Sequence, residues 1–212
     1  MTDPTVACIG GEWTVIPLAR GDASLPDDYF EKYRANVEKY LKENDGILSD
    51  HKYTEYSRVV LALKSIGADP TDIGGYDVQK PLENFDTVTT QGLNGAVFAL
   101  LALNADDPEQ NKDGDLEQKY LAYILEQEKP DGGFSLDDNA DQSDVDMTAM
   151  TLQCLEPYQD QEAVKEIIDN GIQIVSARQE EDGGYVAYGA DRSETVSQVI
   201  LTLSTYGIDC NE

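Results

Sequence analysis

Apolar side chains recur at spacings of three and four along three stretches of the chain. Tyr29, Phe30, Tyr33, Val37, Tyr40 and Leu41 are separated by Glu, Lys and Arg, so one stripe of a helix is apolar and the rest polar. Leu116, Tyr120, Leu121 and Ile124 repeat the pattern, as do Val164, Ile167, Ile168, Ile172 and Val175. These predict amphipathic helices in an outer layer. Between them lie segments apolar on most sides, at 57–66, 96–103, 148–155 and 197–206. Each ends in a helix-stop pattern and not in a hairpin turn, which predicts buried helices in preference to strands. A shorter echo, Trp13 to Gly21, adds a first inner helix. Inner and outer helices therefore alternate, and the expected architecture is one all-α domain spanning residues 1–212.

The letters themselves repeat. Ser57-Arg-Val-Val-Leu-Ala-Leu-Lys-Ser-Ile-Gly-Ala-Asp69 aligns without gaps on Ser197-Gln-Val-Ile-Leu-Thr-Leu-Ser-Thr-Tyr-Gly-Ile-Asp209, placing Gly67 and Gly207 at one helix-ending position. The loops repeat too: Glu128-Lys-Pro-Asp-Gly-Gly-Phe134 and Gln179-Glu-Glu-Asp-Gly-Gly-Tyr185 each follow an outer helix, and Asn44-Asp-Gly-Ile-Leu48 is a degenerate third copy. Copies about 40 to 50 residues apart indicate helical hairpins that bury one another.

Charge narrows the partners. Forty-two acidic residues against fifteen basic ones give −27, which repels phosphate backbones and anionic lipid and favours cationic or neutral polar partners. Nucleic acid is not expected. The longest apolar run, Ala96 to Leu103, is far short of the roughly 20 residues of a membrane span. Cys8, Cys154 and Cys210 form no CxxC pair, and His51 is the single histidine, so zinc spacing is missing and no cofactor is expected. The opening Met1-Thr2-Asp3-Pro4 lacks a signal peptide's basic start and apolar stretch.

The two Asp-Gly-Gly-aromatic loops resemble the QW repeats of squalene-hopene cyclases. Tyr123, Glu128, Gly132 and Phe134 occupy the repeat's positions, as do Ile174, Gln179, Gly183 and Tyr185, with its Trp replaced twice and its Gln once. Over nearly its full length the chain resembles the prenyltransferase/squalene-oxidase-repeat domains of surface proteins of Gram-positive gut bacteria. Gly10-Gly-Glu-Trp13, Lys52-Tyr-Thr-Glu-Tyr-Ser-Arg58, Gly74-Gly-Tyr76, Asp146-Met-Thr-Ala-Met150 and the Gly-Ile-Asp ending carry that likeness. The resemblance implies an α/α toroid, with about five inner helices visible where a full ring has six, so that an incomplete ring is expected, and a domain excised from a longer secreted or surface protein. Relatives of that toroid include terpene cyclases, cobalamin carriers, thioester domains and protein prenyltransferases, so fold does not fix function.

Asp144-Val-Asp-Met-Thr-Ala149 resembles the cyclase motif Asp-x-Asp-Asp-Thr-Ala, whose middle acid, here Asp146, would protonate an alkene. Met147 stands where the third aspartate belongs, and one Trp and four Phe are few for a carbocation pocket. Capping of the helix by Asp144 or Asp146 is the simpler role. No thioester segment, phosphate loop or Ser/His/Asp set is present.

In a toroid the inner-helix N-termini converge at one end, and each carries an acid here: Glu12, Glu55, Asp86, Asp144 with Asp146, and Glu194. Trp13, Tyr53, Tyr56, Gln91, Asn94, Ser193 and Gln198 stand beside them. Such a mouth suits a polar small molecule, glycan or peptide, or another domain of the parent protein. Each acid equally complements its own helix dipole. The expected function is a non-catalytic recognition domain; a cyclase using Asp146 and a cobalamin-type carrier are the rivals. Asp113 with Asp115, and Asp137 with Asp141, lie in loops that start like calcium loops but lack the later bidentate Glu. Ring closure in an oxidising location would bring Cys8 and Cys210 together as a disulfide.

Overall fold

The computed structural model describes residues 3–187 and 190–209. Apart from a two-residue ribbon pairing β1 (Val186–Ala187) with β2 (Ala190–Asp191), the described regular structure is helical. Five helices form one series: α1 (Ile9–Arg20), α3 (Tyr53–Ser65), α5 (Gly92–Asn104), α8 (Val145–Leu155) and α10 (Ser193–Thr205). Each packs on the next, α1 on α3, α3 on α5, α5 on α8 and α8 on α10.

A second layer flanks them. α2 (Tyr29–Glu43) packs on α1, α7 (Asp115–Leu125) on α5 and α9 (Glu162–Ala177) on α8. Each outer helix buries one stripe, such as Tyr29, Tyr33, Val37 and Leu41 of α2, at spacings of four. α5 is buried nearly all round, from Leu93 to Asn104, as its unbroken apolar run requires. Between α3 and α5 no long outer helix intervenes. A 3-10 turn, Lys80–Glu83, packs on α3 instead, followed by α4 (Phe85–Val88) and a second 3-10 turn, Thr89–Gln91. α6 (Pro108–Asn111) is one further short turn.

The repeated loops are the same object built twice. Lys129 N donates to Gly133 O (2.8 Å) and Gly132 N to Lys129 O (2.8 Å), as Glu180 N donates to Gly184 O (3.0 Å) and Gly183 N to Glu180 O (2.9 Å). Gly132 at φ +89 and Gly183 at φ +84 occupy left-handed backbone that a side chain would strain. The closing rings of Phe134 and Tyr185 are buried, anchoring each loop beneath its hairpin.

One apolar core runs through α1 to α9. α10 shares a separate small cluster, Val145, Ala149, Val175, Tyr185 and Val199. Polar contacts also tie it to α8: Thr202 Oγ1 donates to Ala149 O (2.8 Å) and Tyr206 OH to Leu152 O (2.6 Å). No described helix is long and apolar enough to cross a membrane.

Candidate functional site

All five helices of the inner series contribute to one cavity of about 290 Å³. Its walls are Trp13, Ile16 and Arg20 of α1, Leu61 and Ser65 of α3, Phe98 and Leu101 of α5 with Ala105 beyond it, Met150 and Gln153 of α8, and Gln198 and Leu201 of α10. Within each helix these positions are three or four apart, so each helix presents a single face to the cavity. Trp13 and Phe98 meet with ring centroids 5.8 Å apart, tilted by 56°. Trp13 is 41% exposed and Leu201 54%. Water-facing apolar surface of that size, on a concave wall, is a feature of binding sites.

One polar clip crosses the wall. Gln153 Nε2 donates to Gln198 Oε1 and to Thr202 Oγ1, both at 3.0 Å. Arg20 is the only charged residue that lines the cavity, and no carboxylate does. Asn94, Asp146 and Glu194 lie four residues before Phe98, Met150 and Gln198 respectively, and so occupy the same face one turn nearer the helix N-termini.

The predicted mouth residues do several different jobs. Glu12 is fully buried. Its Oε1 accepts from Ala7 N (2.8 Å) and Tyr33 OH (3.3 Å), and its Oε2 lies 3.8 Å from Arg58 Nε. Burial raises the Glu12 carboxyl above its ordinary range, against the opposing pull of those bonds and of Arg58. The Tyr33 hydroxyl is likewise pushed up, by burial first and then by the neighbouring Glu12. Glu55 stands 4.0 Å from Arg58. This group is an internal electrostatic joint between α1, α2 and α3.

Tyr53 stacks on Tyr56 at 5.8 Å, and Tyr56 OH accepts from Leu48 N (3.0 Å), which makes Tyr56 a strut under the preceding loop. Gln91 Oε1 accepts from Thr54 N (3.1 Å), capping α3 from the start of α5. Asp144 is the N-cap of α8, accepting from Met147 N (2.7 Å) and Leu136 N (3.0 Å). Asp146 Oδ1 is buried and has no hydrogen-bond partner. Glu194 is exposed and accepts from Ser193 Oγ (3.3 Å). Asp86 belongs to α4 and sits 3.7 Å from Lys119; the first turn of α5 carries no acid, so the expected carboxylate at every inner-helix terminus fails there.

Among the described residues no three His, Cys, Asp or Glu side chains gather where they could hold a metal ion. Asp113, Asp115, Asp137 and Asp141 are exposed, and Asp137 accepts from Asn139 N on its own loop at 2.9 Å. Cys8 is a free thiol whose Sγ lies 3.0 Å from Thr5 Oγ1; its predicted partner Cys210 lies outside the described residues.

No family model, no curated protein and no solved structure matches this chain.

Trp13 and Gln198 are the two predicted site residues that line the cavity. Ile16, Leu61, Phe98, Leu101, Met150 and Leu201 were missed. A detectable signal existed: each lies on an inner helix three or four residues from another lining position, facing away from the outer layer.

Proposed function

We propose that the chain is a non-catalytic recognition domain: its inner helices form an open arc of an α/α toroid, and its ligand enters the concave face with an apolar part in the Trp13 cavity. The observation that carries this is the convergence of all five inner helices on one apolar, partly solvent-exposed hollow. Asn94, Asp146 and Glu194, one turn nearer the N-termini on the same helix faces, are the polar groups this reading gives the ligand. Residence in a secreted or surface protein rests on the sequence resemblance and on the acidic composition that keeps such domains soluble. The cyclase reading draws on the unpartnered Asp146 oxygen, but the cavity wall contains no acid and only two aromatic rings, too few to guide a carbocation.

The chain's single tryptophan is its own reporter. Titrating a neutral apolar probe, decanol, is expected to shift Trp13 fluorescence saturably and to raise the melting temperature. Leu201→Glu, at a site exposed enough to accept the charge, is expected to weaken binding about tenfold, the equivalent of about 1.4 kcal/mol of lost apolar contact. Asp146→Asn is expected to leave decanol binding intact. An unchanged Trp13 signal at saturating decanol would remove the cavity from consideration.

A further inference from the structure

Three features of the cavity set the chemistry of what it holds. First, its size: about 290 Å³ is roughly twice the 150 Å³ hollow that accommodates one benzene, which corresponds to roughly eight to twelve carbons. Second, its shape: Trp13, Ile16 and Arg20 run along one face of α1, and the seven steps from Trp13 to Arg20 extend about 10 Å at 1.5 Å per residue. Third, its polarity. Arg20, at the C-terminal end of that line, is exposed and makes no ion pair or hydrogen bond through its guanidinium among the described residues, although acids outnumber bases in the chain by 42 to 15. Asp22, two residues on, is exposed and forms no pair with it.

We propose that the cavity takes a linear aliphatic carboxylate of medium chain length, its tail against Trp13, Leu61, Phe98 and Leu201 and its carboxylate on the Arg20 guanidinium. The planar fork of arginine donates two parallel N–H bonds to a carboxylate, a geometry that neither a hydroxyl nor a quaternary ammonium head can use. The chain's charge of −27 works against any anion, but distance decides its weight. Among the described residues no carboxylate lines the cavity, and Arg20 is the one charged side chain on its wall. Charges farther off are screened within about 8 Å at physiological salt, so the local guanidinium dominates the head group's surroundings. This inference rests on the cavity reading above and adds the head-group preference to it.

Decanoate, decanol and decyltrimethylammonium, each below its micelle concentration, are titrated against Trp13 fluorescence in the wild-type chain and in Arg20→Gln. Decanoate is expected to bind about two- to fivefold tighter than decanol, the range of an exposed ion pair, with the ammonium weakest. Arg20→Gln is expected to bring decanoate to the decanol level while decanol itself does not change. Equal binding of decanol and decanoate, or a decanoate advantage that survives Arg20→Gln, would overturn the head-group assignment and leave the cavity reading standing. No response to any of the three probes would overturn both.

Discussion

Glu12 illustrates how much chemistry a single buried carboxyl imposes on this fold. Its side chain is fully enclosed, yet Oε2 and the facing Arg58 Nε lack hydrogen-bond partners, so the pair is held at 3.8 Å by charge alone. Burial raises the carboxyl's pKa in the folded state. A carboxyl that holds its proton more tightly when folded favours the fold most below its unfolded value, and that contribution is lost as pH rises through the folded value. Glu12→Gln keeps an oxygen for Ala7 N and Tyr33 OH and removes the charge. It is therefore expected to match the wild type near pH 4 and to exceed it by on the order of 1 kcal/mol at pH 7, read from paired thermal melts. A variant that loses ground as pH rises would show that attraction to Arg58 outweighs desolvation. Asp131 has the opposite sign. Burial works to raise it, but bonds from Ser143 and Gly133 and the Arg178 guanidinium at 2.9 Å prevail and hold it below its ordinary range.

Among the elements, helix identity was legible and helix boundaries less so. The three amphipathic stripes became α2, α7 and α9, and the four apolar runs became α3, α5, α8 and α10, because periodicity at 3.6 residues survives whatever the helix packs against. The inner helices begin three or four residues earlier than their apolar runs, where polar residues interrupt the run: Thr54 and Glu55 in α3, Asp146 in α8, Ser193 to Thr195 in α10. The free N–H groups of a first turn call for polar and capping side chains, so an unbroken apolar run does not mark it. The turn of Lys80–Glu83 that packs on α3 in place of an outer helix had no periodic signal at all. Glycine supplies a sharper test of element packing. A methyl group on Gly171 of α9 would come within 2.8 Å of Leu152 Cδ2 on α8. Overpacking costs about 1–3 kcal/mol, and alanine's better helix propensity returns up to about 1. Gly171→Ala is thus expected to lose about 1–2 kcal/mol in urea unfolding. A stabilised variant would mean that α8 and α9 approach less closely than described.

For the whole molecule, two of the residues singled out in the sequence, Trp13 and Gln198, line the cavity, and the rest of its wall was not legible. Acids and amides at inner-helix N-termini are conspicuous in the letters, whereas the cavity wall is mostly ordinary apolar residues whose partial exposure emerges only once five helices are assembled. Composition speaks more directly at this scale. With 42 acidic and 15 basic residues, most carboxylates have no cation within reach, and exposed helix-local pairs such as Lys32–Asp28 at 2.8 Å are worth a few tenths of a kcal/mol. Net repulsion among the unmatched carboxylates therefore opposes the compact state more than those pairs favour it. Raising sodium chloride from about 10 mM to 500 mM shortens the Debye length from about 30 Å to below 8 Å and screens the long-range repulsion first. The melting temperature is expected to climb by roughly 3–6 °C, equivalent to about 1–2 kcal/mol for a chain of this size. Potassium chloride should do the same, because screening depends on ionic strength and not on the cation's identity. A fall in melting temperature over that range would mean that attractive pairs dominate the surface. A rise with calcium at low millimolar concentration, absent with an equal ionic strength of sodium chloride, would instead reveal a specific site in one of the acidic loops.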